Sequence, residues 1–179
     1  FSTNHVYWYK KLFGIVMNIL YIGGQKSGKS ALASKKALEI SSDKPFYVAT
    51  YDNSYNDESM QERIDKHIDD RREDFISIEE TKDLSKVIKN NNTYLIDCIS
   101  MWLFNNLDLD ENTLKKQLQD ICKQNANIVF VLNDVSCGVI PFDSQSRRFV
   151  DFSGLIGQEL VKLCEEVYEA RYGLEIKLK

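Results

Sequence analysis

The sequence has few of the residues that separate domains or build repeats. It contains two prolines and eight glycines in 179 residues, and neither is concentrated in a linker-like stretch. No unit of about 20 to 50 residues recurs, so a solenoid or a propeller is excluded. A chain of this length can bury one core, and we therefore expect one domain over residues 17–179.

Positive charge and long apolar runs are also scarce. The formal net charge is −4 and no cluster of four or more Lys or Arg occurs, so no nucleic-acid partner is expected. The run "LFGIVMNILYIGG" follows two lysines like a signal peptide, but cleavage there would remove the first strand, and the run is too short to span a bilayer. We interpret residues 1–16 as an N-terminal extension outside the core, with Met17 as the natural start.

Cysteines are few and lie far apart. None of the four forms a C-x-x-C pair, so neither a zinc site nor a thioredoxin-like motif is indicated. Reduced thiols in a cytoplasmic protein are the simplest interpretation. These residues are Cys98, Cys122, Cys137 and Cys164.

What is present is an alternation of short apolar runs with helical patterns. Strands are predicted over 18–22, 45–50, 75–79, 93–97, 127–132 and 174–179, and helices over 29–40, 58–70, 113–124 and 144–171. Such an order is typical of an α/β fold in which a mostly parallel sheet is covered on both faces, giving three layers. An apolar stripe on the last helix predicts core or a subunit contact: Phe149, Phe152, Ile156, Leu160, Leu163 and Val167.

The first strand is followed by "GGQKSGKS", residues 23–30, which has the spacing G-x-x-x-x-G-K-[ST]. Gly23 and Gly28 permit a backbone that turns N–H groups towards phosphates, and the following helix adds its positive dipole end. Lys29 would reach the β- and γ-phosphates, and Ser30 would hold Mg²⁺. The plain alternative is a glycine turn, but the position between a strand and a helix favours a P-loop NTPase-like nucleotide site.

A second anchor for the metal is expected at Asp97. This residue ends the apolar run "YLID", and in a parallel sheet it would emerge at the carboxyl edge, where α/β ligands bind. The alternative is that Asp97 caps the following segment.

The segment "ESMQERIDKHIDDRRED" contains His67, one of two histidines in the chain. Arg63 and Arg71 lie four residues to either side of it, and positive neighbours favour the neutral, nucleophilic imidazole. The alternative is a solvated residue on a highly charged helix, because nearby aspartates would offset the arginines. The other histidine, His5, lies in the extension.

Taken together, six motifs resemble those of the bifunctional adenosylcobinamide kinase/adenosylcobinamide-phosphate guanylyltransferases of cobalamin synthesis. The resemblance runs from about Asn18 to the C-terminus. The motifs, in order, are "GGQKSGKS", "YVAT", "MQERIDKHIDDR", "LIDCISMWLFNNL", "VLNDVSCGVIP" and "SRRFVDFSGLIGQELV".

The resemblance implies two reactions. In that family a histidine on this helix attacks the α-phosphate of GTP, pyrophosphate leaves, and GMP passes from the histidine to adenosylcobinamide phosphate; His67 is the residue that matches. The family also phosphorylates the aminopropanol hydroxyl of adenosylcobinamide with ATP or GTP. A homo-oligomer, specifically a trimer, is implied as well.

The resemblance also implies the residues around the nucleotide. With Lys29 as a catalytic residue beside His67, the nucleotide site comprises Gly23, Gly24, Gln25, Lys26, Ser27, Gly28, Ser30, Ala49, Thr50, Tyr51, Arg71, Glu79 and Asp97. Arg71 would hold phosphates and Glu79 would accept hydrogen bonds from the guanine edge. The sequence departs from the family pattern at Lys26, usually arginine, at Arg72, usually proline, and at Ser136, usually glycine.

Two rival functions remain at this point. A simple small-molecule kinase would use the same phosphate loop while His67 stayed a surface residue. A nucleotide-binding switch would bind nucleotide without any cobinamide substrate.

Overall fold

The computed structural model describes residues 16–52, 73–136 and 138–179. These residues form seven strands: β1 (Asn18–Gly23), β2 (Phe46–Ala49), β3 (Ile76–Glu79), β4 (Thr93–Asp97), β5 (Asn127–Asn133), β6 (Glu166–Arg171) and β7 (Leu174–Lys177). The helices are α1 (Lys29–Ile40), α2 (Ile99–Asn105), α3 (Glu111–Cys122) and α4 (Ser144–Leu163), with a 3-10 turn at Leu84–Lys86. The helix predicted over 58–70 lies outside the described residues.

All seven strands belong to one sheet with the order β3-β2-β4-β5-β1-β6-β7. The first six strands are parallel, and β7 runs antiparallel to β6 at one edge. In this order β1 is a central strand, and β5 separates it from β4. The carboxyl ends of these three strands therefore meet at one edge of the sheet.

Helices cover both faces of the sheet, which confirms the predicted three-layer α/β fold. On β5, Ile128 and Phe130 pack in the cluster formed with α2, α3 and α4, whereas Val129 and Val131 pack in the cluster formed with α1. Both sets of side chains are fully buried. A strand buried on both faces has no polar side to alternate with, which explains the unbroken apolar run in its sequence.

The prediction of one helix from 144 to 171 is wrong beyond Leu163. The chain leaves the helix at Cys164, and residues 166–171 form β6, with Val167 buried on one face and Tyr168 on the other. Val167 follows Leu163 by four residues, so its position is consistent with the helical spacing of apolar residues although it lies in a strand. Residues 166–171 form a strand rather than a helix because β1 pairs with β5 on one side only. Without β6 the buried N–H and C=O groups on the other side of β1 would be unpaired, which is costly.

The remaining stripe of α4 faces the sheet of its own chain. Ile156 and Leu160 are fully buried, and Phe149, Phe152 and Leu163 pack against the same cluster. Within its own chain the stripe therefore packs as core. Among the described helices, none combines the length and apolarity needed to cross a membrane.

We predict that Phe130→Ala lowers the free energy of unfolding by about 3–5 kcal/mol, because the ring is fully buried at the centre of β5 and its removal leaves a cavity. Phe142→Ala is the matched control: this ring is fully exposed, and its loss should change stability by about 0.5 kcal/mol or less. Urea unfolding followed by circular dichroism measures both. Equal losses in the two variants would contradict the assignment of β5 to the core.

Candidate nucleotide site

The sequence "GGQKSGKS" forms a loop between the end of β1 and the start of α1, as predicted. Gly23 is packed so closely that a Cβ would lie 2.5 Å from Ser27 Oγ and 2.7 Å from the Ala170 carbonyl oxygen. Gly28 has φ +92°, a left-handed conformation that strains any residue with a side chain. Its carbonyl accepts a hydrogen bond from Leu32 N at 3.1 Å, which begins the first turn of α1. The two glycines are thus needed for different reasons, close packing and backbone twist.

The turn between β6 and β7 braces this loop from outside. Gly173 N donates to the Ser27 carbonyl at 2.8 Å, and a Cβ on Gly28 would lie 3.2 Å from Gly173 Cα. Tyr172 and Gly173 both have positive φ, 52° and 79°, as in the two-residue turns that join antiparallel strands. Sequence reasoning missed this contact because it continued α4 through β6, although "YG" before the last strand is a turn signal.

Lys29 opens α1 with its side chain folded over the loop. Its Nζ donates to the Gly24 carbonyl at 3.1 Å, and the residue is buried. Burial lowers the pKa of the Lys29 ammonium, and the nearby Cys98 and Asp97 oppose part of that shift. A buried cation beside exposed loop residues, Gln25 and Lys26 among them, is suited to bind phosphate oxygens.

Ser30 and Asp97 come together although 67 residues separate them. Ser30 Oγ lies 3.3 Å from Asp97 Oδ1, and Tyr47 donates its hydroxyl to Asp97 Oδ2 at 3.4 Å. Mg²⁺ prefers oxygen ligands and is usually held by one or two carboxylates together with substrate phosphates and waters. The described residues contain no group of three His, Cys, Asp or Glu that could hold a metal unaided. This donor set therefore fits a magnesium ion that arrives with a nucleotide.

Thr50 has a structural task beside this pair. Its hydroxyl donates to the Cys98 carbonyl at 2.7 Å and accepts from Cys98 N at 3.1 Å, while Asn105 Nδ2 donates to the Thr50 carbonyl at 2.7 Å. The side chain thus fixes the backbone that follows Asp97. Burial and the neighbouring Asp97 raise the pKa of the Cys98 thiol to about 11, so Cys98 stays neutral and is a poor nucleophile.

Three predicted residues lie in one row along the carboxyl edge. Ala49 pairs in register with Glu79 on one side and with Asp97 on the other. From Glu79 on β3 to the loop after β1 the row crosses four strand spacings, roughly 19 Å in all. Glu79 is exposed and Tyr51 is half-buried, so both are accessible to a ligand lying along this edge.

His67 and Arg71 lie outside the described residues, so their predicted roles stay predictions. The described chain runs from Ala49 to Asp52 at the carboxyl edge before the segment that carries them.

A phosphate loop between the first strand and helix of a parallel sheet, opposite an acid on a nearby strand, defines a P-loop nucleotide-binding protein. The fold is similar to that of the flagellar accessory protein FlaH from Methanocaldococcus jannaschii, with a TM-score of 0.51 and 15% identity over 91% of this chain and 78% of that chain. At this identity the likeness shows the fold alone.

The chain belongs to the CobU family, described as cobinamide kinase / cobinamide phosphate guanyltransferase, whose model matches residues 19–178. It is 31% identical to the bifunctional adenosylcobalamin biosynthesis protein CobP of Pseudomonas aeruginosa, over 91% of this chain and 98% of that protein. It is 29% identical to the bifunctional adenosylcobalamin biosynthesis protein CobU of Escherichia coli K12, over 91% of this chain and all of that protein. The family resemblance seen in the sequence is confirmed.

We predict that Gly23→Ala lowers the free energy of unfolding by about 1–3 kcal/mol, because the new methyl group would overlap Ser27 Oγ and the Ala170 carbonyl. Gly24→Ala is the control, since a Cβ there would meet no atom within 4 Å, and a change within about 0.5 kcal/mol is expected. Thermal unfolding without nucleotide compares the two. If both alanines are tolerated equally, the loop does not pack against β6 as described.

Proposed function

We propose that this protein transfers GMP from GTP to adenosylcobinamide phosphate through a guanylyl-His67 intermediate, and that it also phosphorylates adenosylcobinamide with ATP or GTP. The observation that carries the proposal is the convergence of Lys29, Ser30 and Asp97 at one sheet edge in a chain of the CobU family. A trimeric assembly and a cytoplasmic location stay predictions.

In the guanylyl transfer a neutral His67 nitrogen attacks the α-phosphorus of GTP. The bond from this phosphorus to the oxygen bridging the α- and β-phosphates breaks, and pyrophosphate leaves with the electron pair. A phosphate oxygen of adenosylcobinamide phosphate then attacks the same phosphorus, the P–N bond breaks, and His67 is restored. Lys29 and the loop N–H groups would stabilise the charge on the phosphate oxygens.

In the phosphorylation the hydroxyl oxygen of the aminopropanol arm attacks the γ-phosphorus. The bond to the bridging oxygen breaks, the nucleoside diphosphate leaves with the electron pair, and the hydroxyl proton is released to solvent. Ser30 and Asp97 would hold Mg²⁺, which supplies positive charge to the phosphate oxygens. Lys29 would orient the triphosphate for transfer.

A second candidate function is a simple P-loop small-molecule kinase. It is favoured by the fact that Lys29, Ser30 and Asp97, all described, supply the loop lysine, the hydroxyl and the acid of a phosphoryl-transfer site without any contribution from His67. The two candidates differ in one chemical event, the covalent attachment of GMP to the protein.

We predict that GTP labelled at the α-phosphorus transfers its label to the wild-type protein, because His67 displaces pyrophosphate. The label should survive denaturation and be released by acid, as expected of a phosphorus–nitrogen bond. His67→Ala should abolish labelling, and His5→Ala, at the only other histidine, should retain it. Electrophoresis with autoradiography measures the outcome.

Two results would count against this mechanism. The first is a wild-type protein that binds GTP but never carries label, with or without Mg²⁺. If that protein still phosphorylates cobinamide, the result favours the simple kinase; if it does not, the result favours the nucleotide-binding switch. Label that persists in His67→Ala would place the nucleophile on another residue.

We also predict that Mg²⁺ tightens GTP binding to the wild type much more than to Ser30→Ala or Asp97→Asn, because these two neighbouring side chains would supply the metal's protein oxygens. The apparent Mg²⁺ affinity should fall about tenfold or more. Loss of a side chain that only supports a metal ligand already costs about tenfold, and loss of a ligand should cost at least as much. Titration calorimetry at several Mg²⁺ concentrations gives the affinities.

Ser34→Ala is the control for the metal test. Ser34 lies one turn further along α1 and donates its hydroxyl to the Ser30 carbonyl at 2.8 Å, so its loss should leave the Mg²⁺ effect intact. An unchanged Mg²⁺ effect in Asp97→Asn would remove Asp97 from the metal site.

A further inference from the structure

A pocket of about 270 Å³ lies at the carboxyl end of β5, outside the phosphate loop itself. Ile22 and Leu132 line it from the sheet, residues 133–136 form one wall, and Ser153, Gly154 and Gly157 of α4 form the opposite wall. It therefore lies on the face covered by α2 and α4, whereas α1 covers the other face.

The pocket adjoins the phosphate loop. Asp134 N donates to the Gly23 carbonyl at 2.9 Å, so the pocket wall is bonded to the first glycine of the phosphate loop. β5 lies between β1, which carries that loop, and β4, which carries Asp97. In the proposed function Ser30 and Asp97 would hold the metal that accompanies the triphosphate, so the end of β5 between them would lie beside its terminal phosphates.

One wall of the pocket contains a buried hydroxyl oxygen that makes no hydrogen bond to the described residues. Ser153 is 5% exposed, and its Oγ has no hydrogen-bond partner among the described residues. A buried hydroxyl without a partner is costly, and a ligand group that pairs with it regains that free energy. The observation points to a ligand atom at this position.

Glycines and apolar side chains line much of the remaining pocket. A Cβ on Gly154 would meet no atom within 4 Å, so the space beside it is free, whereas one on Gly157 would lie 3.3 Å from Leu132 Cδ2, so this glycine lets α4 pack closely on β5. Asp134 adds one carboxylate, which accepts hydrogen bonds from Ser136 N at 2.9 Å and Ser136 Oγ at 2.5 Å. The Ser136 hydrogen bonds lower the pKa of Asp134, so the carboxylate is ionised and can accept a further hydrogen bond.

We infer that this pocket receives the aminopropanol arm of the corrinoid acceptor and directs its hydroxyl towards the γ-phosphate. The inference rests on the proposed function. The volume is below the roughly 300–1,000 Å³ of pockets for drug-sized ligands, so the arm enters and the corrin ring stays outside. The methyl group of the arm contacts Ile22 and Leu132, its nitrogen pairs with Ser153 Oγ, and its hydroxyl donates to Asp134.

Two variants test the pocket without unfolding the protein. Gly154→Leu places a side chain where none stands and should raise the KM and the Kd for adenosylcobinamide about tenfold or more, the range by which a misfitting apolar group is discriminated in a pocket. Ser153→Ala removes a hydroxyl that has no partner among the described residues, so stability should not fall, while the Kd for adenosylcobinamide rises about threefold to tenfold.

Gln158→Leu is the matched control, because Gln158 lies one turn beyond Gly154 on α4, is exposed and is outside the pocket. It should leave both constants within about twofold of the wild type. The Kd for nucleotide should stay within the same limits in all three variants, since none of these residues belongs to the phosphate loop.

The Kd is measured by calorimetry with adenosylcobinamide alone, so it does not depend on turnover. Wild-type binding that Gly154→Leu and Ser153→Ala weaken, with no transfer of GMP or phosphate, would uphold the pocket while the proposed function fails. Turnover with a Kd unchanged in both variants would overturn the pocket while the function stands. No binding of adenosylcobinamide to the wild type, or an equal rise in the nucleotide Kd, would also overturn it.

Discussion

The contact between Ser30 and Asp97 depends on the parallel alignment of three strands. β1 delivers the phosphate loop and the start of α1, β4 delivers the acid, and β5 holds the two at a fixed separation between them. The register places Gly23 opposite Asn133 and Asp97 opposite Val131, so the three ends finish within two residues of each other. A shift of one strand would separate the hydroxyl from the carboxylate.

The loop itself depends on neighbours from distant parts of the chain. Ser27 is held by Gly173, Gly23 is held by Asp134, and the backbone after Asp97 is held by Thr50. Each partner sits at the carboxyl end of a different strand. The functional edge is therefore assembled from hydrogen bonds to the backbone of loops, and the strands beneath it supply the rigidity that those bonds need.

The sequence predicted what local chemistry determines. Asp97 could be placed because an acid at the end of a buried apolar run has one sensible position in a parallel sheet, and the loop because its glycines and lysine keep a fixed spacing. The helix prediction wrongly included Val167 because the local pattern does not show that β1 needs a second neighbouring strand for its hydrogen bonds. Thr50 was expected beside the nucleotide, and its hydrogen bonds to Cys98 depend on tertiary contacts that spacing does not report. In the sequence Ser153 and Gly154 look like ordinary helix residues. Only the packed structure shows that they border a pocket.

The brace on the phosphate loop has a consequence for the order in which the protein becomes active during synthesis. The loop is translated at residues 23–30, whereas Gly173, which holds Ser27 from outside, follows roughly 150 residues later. β6, which completes the pairing of β1, is translated almost as long after the loop. A nascent chain on the ribosome therefore carries the phosphate-binding sequence through the synthesis of roughly 150 further residues without the support that shapes it, and nucleotide binding becomes a property of the completed sheet rather than of its first motif.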